Sequence, residues 1–206
     1  MARNTLSGKG SVKAGKKKAP AGANRSVMLF LAGFTALVIV VIAAIAVLST
    51  TGGGNAGNFT PNDEGLIPVG DKAPSFTAET VDGGDVSVGE GGAPATMLVF
   101  FATWCPHCQH EAPILSELES QYDDLRIVMV GIDGEDNPDK VQGFVEEYKI
   151  ESPAVYEPPL GSEYRVSGYP TTYVLNKDNE VIGAHSGEAP REVYEGGIEE
   201  ALHSGG

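Results

Sequence analysis

Residues 95–108 read ATMLVFFATWCPHC, and they decide the fold. Residues 95–102 carry no charge, and a continuous apolar run of that length suits a central strand buried on both faces. The run stops at Thr103-Trp104. A helix candidate begins at Pro106. Ala112, Leu115, Leu118 and Tyr122 follow at helical spacing, which predicts a helix over residues 106–122. The pair Cys105 and Cys108 therefore sits where a buried strand turns into a helix.

Working outward, residues 126–133, RIVMVGID, read as a second buried strand. Asn137-Pro138 is a helix-start signal, and Val141, Phe144, Val145 and Tyr148 share one face of a helix over residues 137–148. Strands over residues 171–175 and 180–184 flank the hairpin signal Asn176-Lys177-Asp178-Asn179, and residues 189–202 read as a closing helix. On the other side, residues 75–80 and 85–88 are short strands joined by Asp82-Gly83-Gly84. A leading hairpin followed by β-α-β-α-β-β-α predicts an α/β fold with helices packed on a sheet, not a bundle or barrel.

The charge is divided unevenly. Seven of the 14 Lys and Arg lie in the first 26 residues, which contain no acid, so the remaining 180 residues carry seven basic against 28 acidic side chains, a net of −21. An acidic body excludes nucleic acid as a partner, because phosphate binding needs a basic surface. Two cysteines exclude a disulfide-rich scaffold and any four-Cys zinc or iron–sulfur centre.

Residues 27–48, VMLFLAGFTALVIVVIAAIAVL, contain no charge and span a hydrocarbon core of about 30 Å as a helix. With the basic leader, residues 1–26, directly before them, the expected arrangement is a single-pass anchor with a cytoplasmic N-terminus and an extracytoplasmic body. Ala44-Ile45-Ala46 offers the competing reading of a cleaved signal peptide. Residues 49–67, rich in Gly, Asn, Thr and Pro, read as a flexible linker with a reach of roughly 25 Å. Residues 68–206 form the expected globular domain.

The Cys-Pro-His-Cys sequence carries the chemistry. At a helix start, the Cys105 sulfur meets unsatisfied N–H groups and the positive end of the helix dipole. Both favour thiolate, so Cys105 is the expected nucleophile, with Cys108 less accessible and placed to resolve a mixed disulfide. A purely structural disulfide is a poor alternative, since so short a ring closes little loop entropy. Copper binding by Cys105, Cys108, His107 and His110 is another, weakened because these positions do not share one helix face.

The segments FFATWCPHCQHEAPILSEL, RIVMVGID and GYPTTYVLNKDNEVIGAHSG together resemble membrane-anchored thioredoxin-like oxidoreductases of the TlpA/ResA type. GDKAPSFTAETVDGGDVSV is similar to the hairpin these proteins share with peroxiredoxins. The resemblance runs from about residue 69 to the C-terminus. It implies a thioredoxin fold with a central mixed sheet and an N-terminal hairpin extension. It also implies that Pro170 is a cis-proline facing the active-site disulfide, and that Tyr169 and Thr171 beside it meet the substrate chain. Glu111 matches an acid that tunes the thiol pair in the cytochrome c maturation branch, with a solvated first-turn carboxylate as the alternative. Pro113 matches a kink proline, and Trp104 shields the disulfide rim or simply packs.

Two departures matter. Thioredoxins carry a buried Asp where this chain has Val99. Pro106-His107 resembles the disulfide-forming DsbA type, in which a donor between the cysteines makes the disulfide a stronger oxidant. The expected activity is thiol–disulfide exchange with protein substrates, as oxidase or reductase, by a monomer that needs no cofactor or metal and is reset by a membrane redox partner. A peroxiredoxin-type thiol peroxidase is the rival enzyme, although the place of its Thr is taken by Ala102, with Thr103 one position off. A copper chaperone is the rival binding function. His110, His185 and His203 are expected to be surface residues without a role.

Overall fold

A computed structural model describes residues 65–204. The leader at residues 1–26, the apolar run at residues 27–48 and most of the linker lie outside them. Among the described residues no helix is long and apolar enough to cross a membrane.

Strands β1 (Phe76–Glu79) and β2 (Asp85–Val88) form an antiparallel two-stranded sheet. Gly83 in its turn takes φ +90°, a conformation glycine adopts without a Cβ clash, and the Gly84 N–H donates to Thr80 Oγ1 at 2.8 Å. The main sheet is built from β3 (Ala95–Phe101), β4 (Leu125–Gly131), β5 (Ala154–Tyr156), β6 (Thr171–Asn176) and β7 (Val181–Ser186), in the order β5-β4-β3-β6-β7. Strand β3 runs parallel to β4 and antiparallel to β6, so the sheet is mixed. Helices α1 (Pro106–Gln121), α2 (Pro138–Glu147), α3 (Pro158–Glu163) and α4 (Arg191–Ser204) complete the domain, a thioredoxin-like α/β fold.

All seven residues of β3 are buried, because both faces of the sheet are covered. Alternation along the strand sends Met97, Val99 and Phe101 into a core with Leu115 and Leu118 of α1, Phe144 of α2 and Ile198 of α4. Leu98 and Phe100 enter the opposite core with Val86, Val88, Leu160 and Tyr173. The strand that ends at the cysteines is thus held from two sides. Helix α2 starts as its sequence requires: Asn137 Oδ1 accepts from the Lys140 N–H at 3.0 Å, with proline in the first turn.

Strand β5 and helix α3 were not expected from the sequence. They are three and six residues long, and their surroundings contain Pro153, Pro158 and Pro159, so neither has room for a periodic apolar pattern. Tertiary contacts make them. The Tyr164 ring at the end of α3 lies 4.9 Å from that of Phe100, its hydroxyl donates to the Pro74 carbonyl, and its own carbonyl accepts from Tyr173 Oη at 2.6 Å. The Ile67 N–H donates to the same Tyr173 hydroxyl, and Leu66 and Ile67 are buried. The folded unit therefore includes the last two residues of the stretch read as linker.

Candidate active site

Strand β3 delivers the chain to the site, and a short turn fixes its exit. The Thr103 N–H and hydroxyl both donate to the carboxylate of Asp136, which is itself buried, while Gln109 Nε2 donates to the Thr103 carbonyl. Cys105 follows as the N-cap of α1, in extended conformation, with Pro106 in the first turn. Its sulfur accepts from the Cys108 N–H at 3.4 Å and lies 3.7 Å from the Tyr169 carbonyl oxygen. The first contact gives an otherwise unpaired helix N–H a partner in the Cys105 sulfur.

Both cysteines are free thiols and both are nearly covered, Cys105 at 4% and Cys108 at 3% exposure. The expected difference in accessibility is therefore small. Their surroundings differ more. Burial, with the Cys105 sulfur as the next cause, holds the Cys108 thiol protonated far above its ordinary range.

Glu111 lies one turn beyond Cys108, on the buried face of α1, and has no exposed surface. Neither of its carboxylate oxygens has a well-formed hydrogen bond. Burial raises its pKa to about 7; the nearby Tyr194 and Thr172 hydroxyls oppose this, and the charge of Glu188 adds to it. A solvated first-turn carboxylate is thereby excluded.

The Tyr169–Pro170 peptide bond is cis. Thr171 is fully buried and its hydroxyl donates to the Gly168 carbonyl at 2.9 Å, so its side chain serves the fold and does not face a substrate. Pro113 lies inside α1, which continues past it to Gln121. His107 is two-thirds exposed and points its Nδ1 at Glu188 Oε2, 2.9 Å away. A carboxylate thus stands against any positive charge on this ring, which weakens the oxidant argument drawn from Pro106-His107.

Asp133 escaped the sequence reading. One carboxylate oxygen accepts from the Trp104 indole at 3.1 Å and the other from the Tyr169 hydroxyl at 3.3 Å, and the two rings meet edge to face with centroids 6.1 Å apart. The Trp104 bond is the largest cause that holds Asp133 below the usual carboxylate range, while burial and the Asp133 charge push Tyr169 up to about 12. Trp104 remains 53% exposed, an apolar surface beside the cysteines. The available signal was position: Asp133 follows the carboxyl end of a buried parallel strand, where α/β folds gather their sites. Among the described residues, the cluster able to hold a metal ion is His107, His110 and Glu188, without either thiol.

A thioredoxin-like fold with a Cys-x-x-Cys pair at the start of its first long helix defines a thiol–disulfide oxidoreductase. The chain belongs to the AhpC/TSA family, which it matches over residues 69–184. It is 30% identical over 132 residues to the thioredoxin-like protein YneN of Bacillus subtilis, covering 63% of this chain and 78% of that protein. It is 26% identical over 136 residues to the thiol-disulfide oxidoreductase ResA of Bacillus cereus, covering 65% and 79%. Among solved structures, StoA from Bacillus subtilis superposes with a TM-score of 0.53 at 26% identity, covering 60% of this chain and 96% of that one. A thioredoxin-family thiol:disulfide interchange protein from Chlorobium tepidum shares the fold, with a TM-score of 0.57 over 66% of this chain and 99% of that one.

Proposed function

We propose that this protein reduces disulfides in other proteins on the extracytoplasmic side of a membrane, tethered by residues 27–48 and reset by a membrane redox partner. Cys105 attacks a substrate disulfide, forming a mixed disulfide and releasing one substrate thiol. Cys108 then loses its proton and attacks the Cys105 sulfur, freeing the second thiol and leaving Cys105–Cys108 oxidised. Two electrons pass from the cysteine pair to the substrate, and the pair needs no cofactor for the exchange.

The observation that carries this reading is the pairing of a buried, strongly protonated Cys108 thiol with Glu111, a buried carboxylate one turn away whose pKa is about 7. Near neutral pH such a carboxylate accepts a proton about as readily as it gives one, the condition for an effective general base. It would take up the Cys108 proton as that thiol attacks. The same burial argues for direction. A strong oxidant needs its reduced form stabilised by a favoured thiolate, and here burial keeps Cys108 as the neutral thiol, which adds no such stabilisation, while Glu188 faces His107.

Tyr169 supplies a backbone carbonyl beside Cys105, and Trp104 supplies exposed apolar surface, so an extended substrate segment would lie between them. Peroxidase chemistry is less well supported, because the Thr103 hydroxyl donates to Asp136 instead of facing the sulfur. The experiment is mixed-disulfide trapping. Cys108→Ser in the full chain should accumulate covalent complexes with cell-envelope proteins that a thiol reductant releases, and Cys105→Ser should accumulate none. Equal trapping by both variants, or by neither, would overturn the proposal. Carbonate extraction tests the tether: the protein should stay with the membrane pellet, and release would mean that residues 27–48 do not anchor it.

A further inference from the structure

His107 and His110 are three residues apart on α1, a spacing that brings side chains to the same helix face. Glu188 reaches both from the segment between β7 and α4. Its Oε2 lies 2.9 Å from His107 Nδ1 and 3.9 Å from His110 Nδ1, and donor atoms of all three residues lie within 4.8 Å of one another. Tetrahedral zinc with nitrogen and oxygen bonds near 2.0–2.1 Å holds its donors roughly 3.4 Å apart. The observed separations run from 2.9 Å to no more than 4.8 Å, and side chains exposed at 66%, 70% and 36% can draw the wider ones in by rotation.

The donor set names the ion. Two imidazoles and one carboxylate suit a borderline divalent ion such as zinc or cobalt, whereas magnesium and calcium take oxygen donors. Three protein ligands on an exposed surface leave a position for water, and a body with a net charge of −21 over residues 27–206 draws cations toward it. Neither thiol belongs to the cluster. Cys105 faces the Tyr169 carbonyl and the Cys108 N–H, and both sulfurs are buried.

We propose that His107, His110 and Glu188 form a binding site for a divalent transition-metal ion of the zinc class, built beside the redox pair and independent of its thiols. This site differs in its ligands from a copper site that uses the cysteines, and it stands whether or not the protein acts as a reductase.

The test uses the untagged full chain, oxidised so that no thiolate is available. Zn²⁺ is titrated by calorimetry and Co²⁺ by visible absorption. The expected result is one equivalent bound, at least about tenfold weaker in His110→Ala and in Glu188→Gln, and unchanged in the double variant Cys105→Ser/Cys108→Ser. His110 is exposed, and its variant should melt at the wild-type temperature. The proposal is overturned by no binding to the oxidised chain, by binding that survives both ligand substitutions, or by binding that appears only when the thiols are reduced.

Discussion

The Cys105 sulfur lies 3.7 Å from the carbonyl oxygen of Tyr169, a residue 64 positions further along the chain. One partner caps α1 and the other precedes β6, and the antiparallel pairing of β3 with β6 brings them together. A backbone acceptor therefore stands beside the Cys105 sulfur. The clamp of Trp104 and Tyr169 on Asp133 shapes the same side of the site.

Glu111 makes a prediction about stability as well as rate. Its folded-state value of about 7 lies above the 4.5 of an unburied glutamate, so between these pH values the folded protein keeps a proton that the unfolded chain has lost. Stability from this group is accordingly full below pH 4.5, falls as pH rises to 7 and is flat beyond. The shift corresponds to about 3 kcal/mol. Denaturant unfolding of Glu111→Gln should show the variant gaining about that much relative to wild type between pH 4.5 and pH 8, while its disulfide exchange slows at least about tenfold near pH 7. Parallel pH profiles for the two proteins would mean that Glu111 is not a strongly shifted acid.

Asp133 acts through its neighbours. Asp133→Ala should free the Trp104 indole and the Tyr169 hydroxyl, raising KM for a protein disulfide about three- to tenfold, or about 0.7–1.4 kcal/mol. Turnover of a small aromatic disulfide should stay within about twofold, since the cysteines are untouched. A matching loss with both substrates would assign Asp133 to the chemistry instead of to the groove.

Much of this architecture is legible in the sequence because it rests on long apolar runs. β3 and α1 are marked by residues 95–108 and by the spacing of Ala112, Leu115 and Leu118. β5 and α3 are too short to carry a period; β5 is held by its parallel pairing with β4, and Tyr164 at the end of α3 is held by packing on Phe100, 64 residues earlier. The cysteine pair is readable from spacing alone. Glu111 is ambiguous, because an acid near a helix start reads equally as solvated or buried, and only the packing of α1 on the sheet shows that it is buried. Asp133 and Glu188 acquire their roles only when Tyr169 and His107 arrive from other elements, which no local pattern encodes.

Gly131 tests the packing behind the site. A Cβ there would come within 2.7 Å of Val141 Cγ2, wedging β4 from α2. Gly131→Ala should cost about 1–3 kcal/mol in denaturant unfolding. A Cβ at Gly131 would meet Val141, Val155 and Tyr156 and neither cysteine, so the reduction potential should move by less than about 15 mV, a threefold change in equilibrium constant. An unchanged midpoint would show that β4 and α2 separate at little expense.

The most direct measurement is the reduction potential of the Cys105–Cys108 pair, obtained by equilibrating the full chain with glutathione or dithiothreitol buffers at pH 7. A buried Cys108 thiol and a His107 ring facing Glu188 predict a value near the roughly −270 mV of thioredoxin. A value near the roughly −120 mV of strong disulfide donors would contradict the account, because it would mean that the folded protein stabilises the reduced pair.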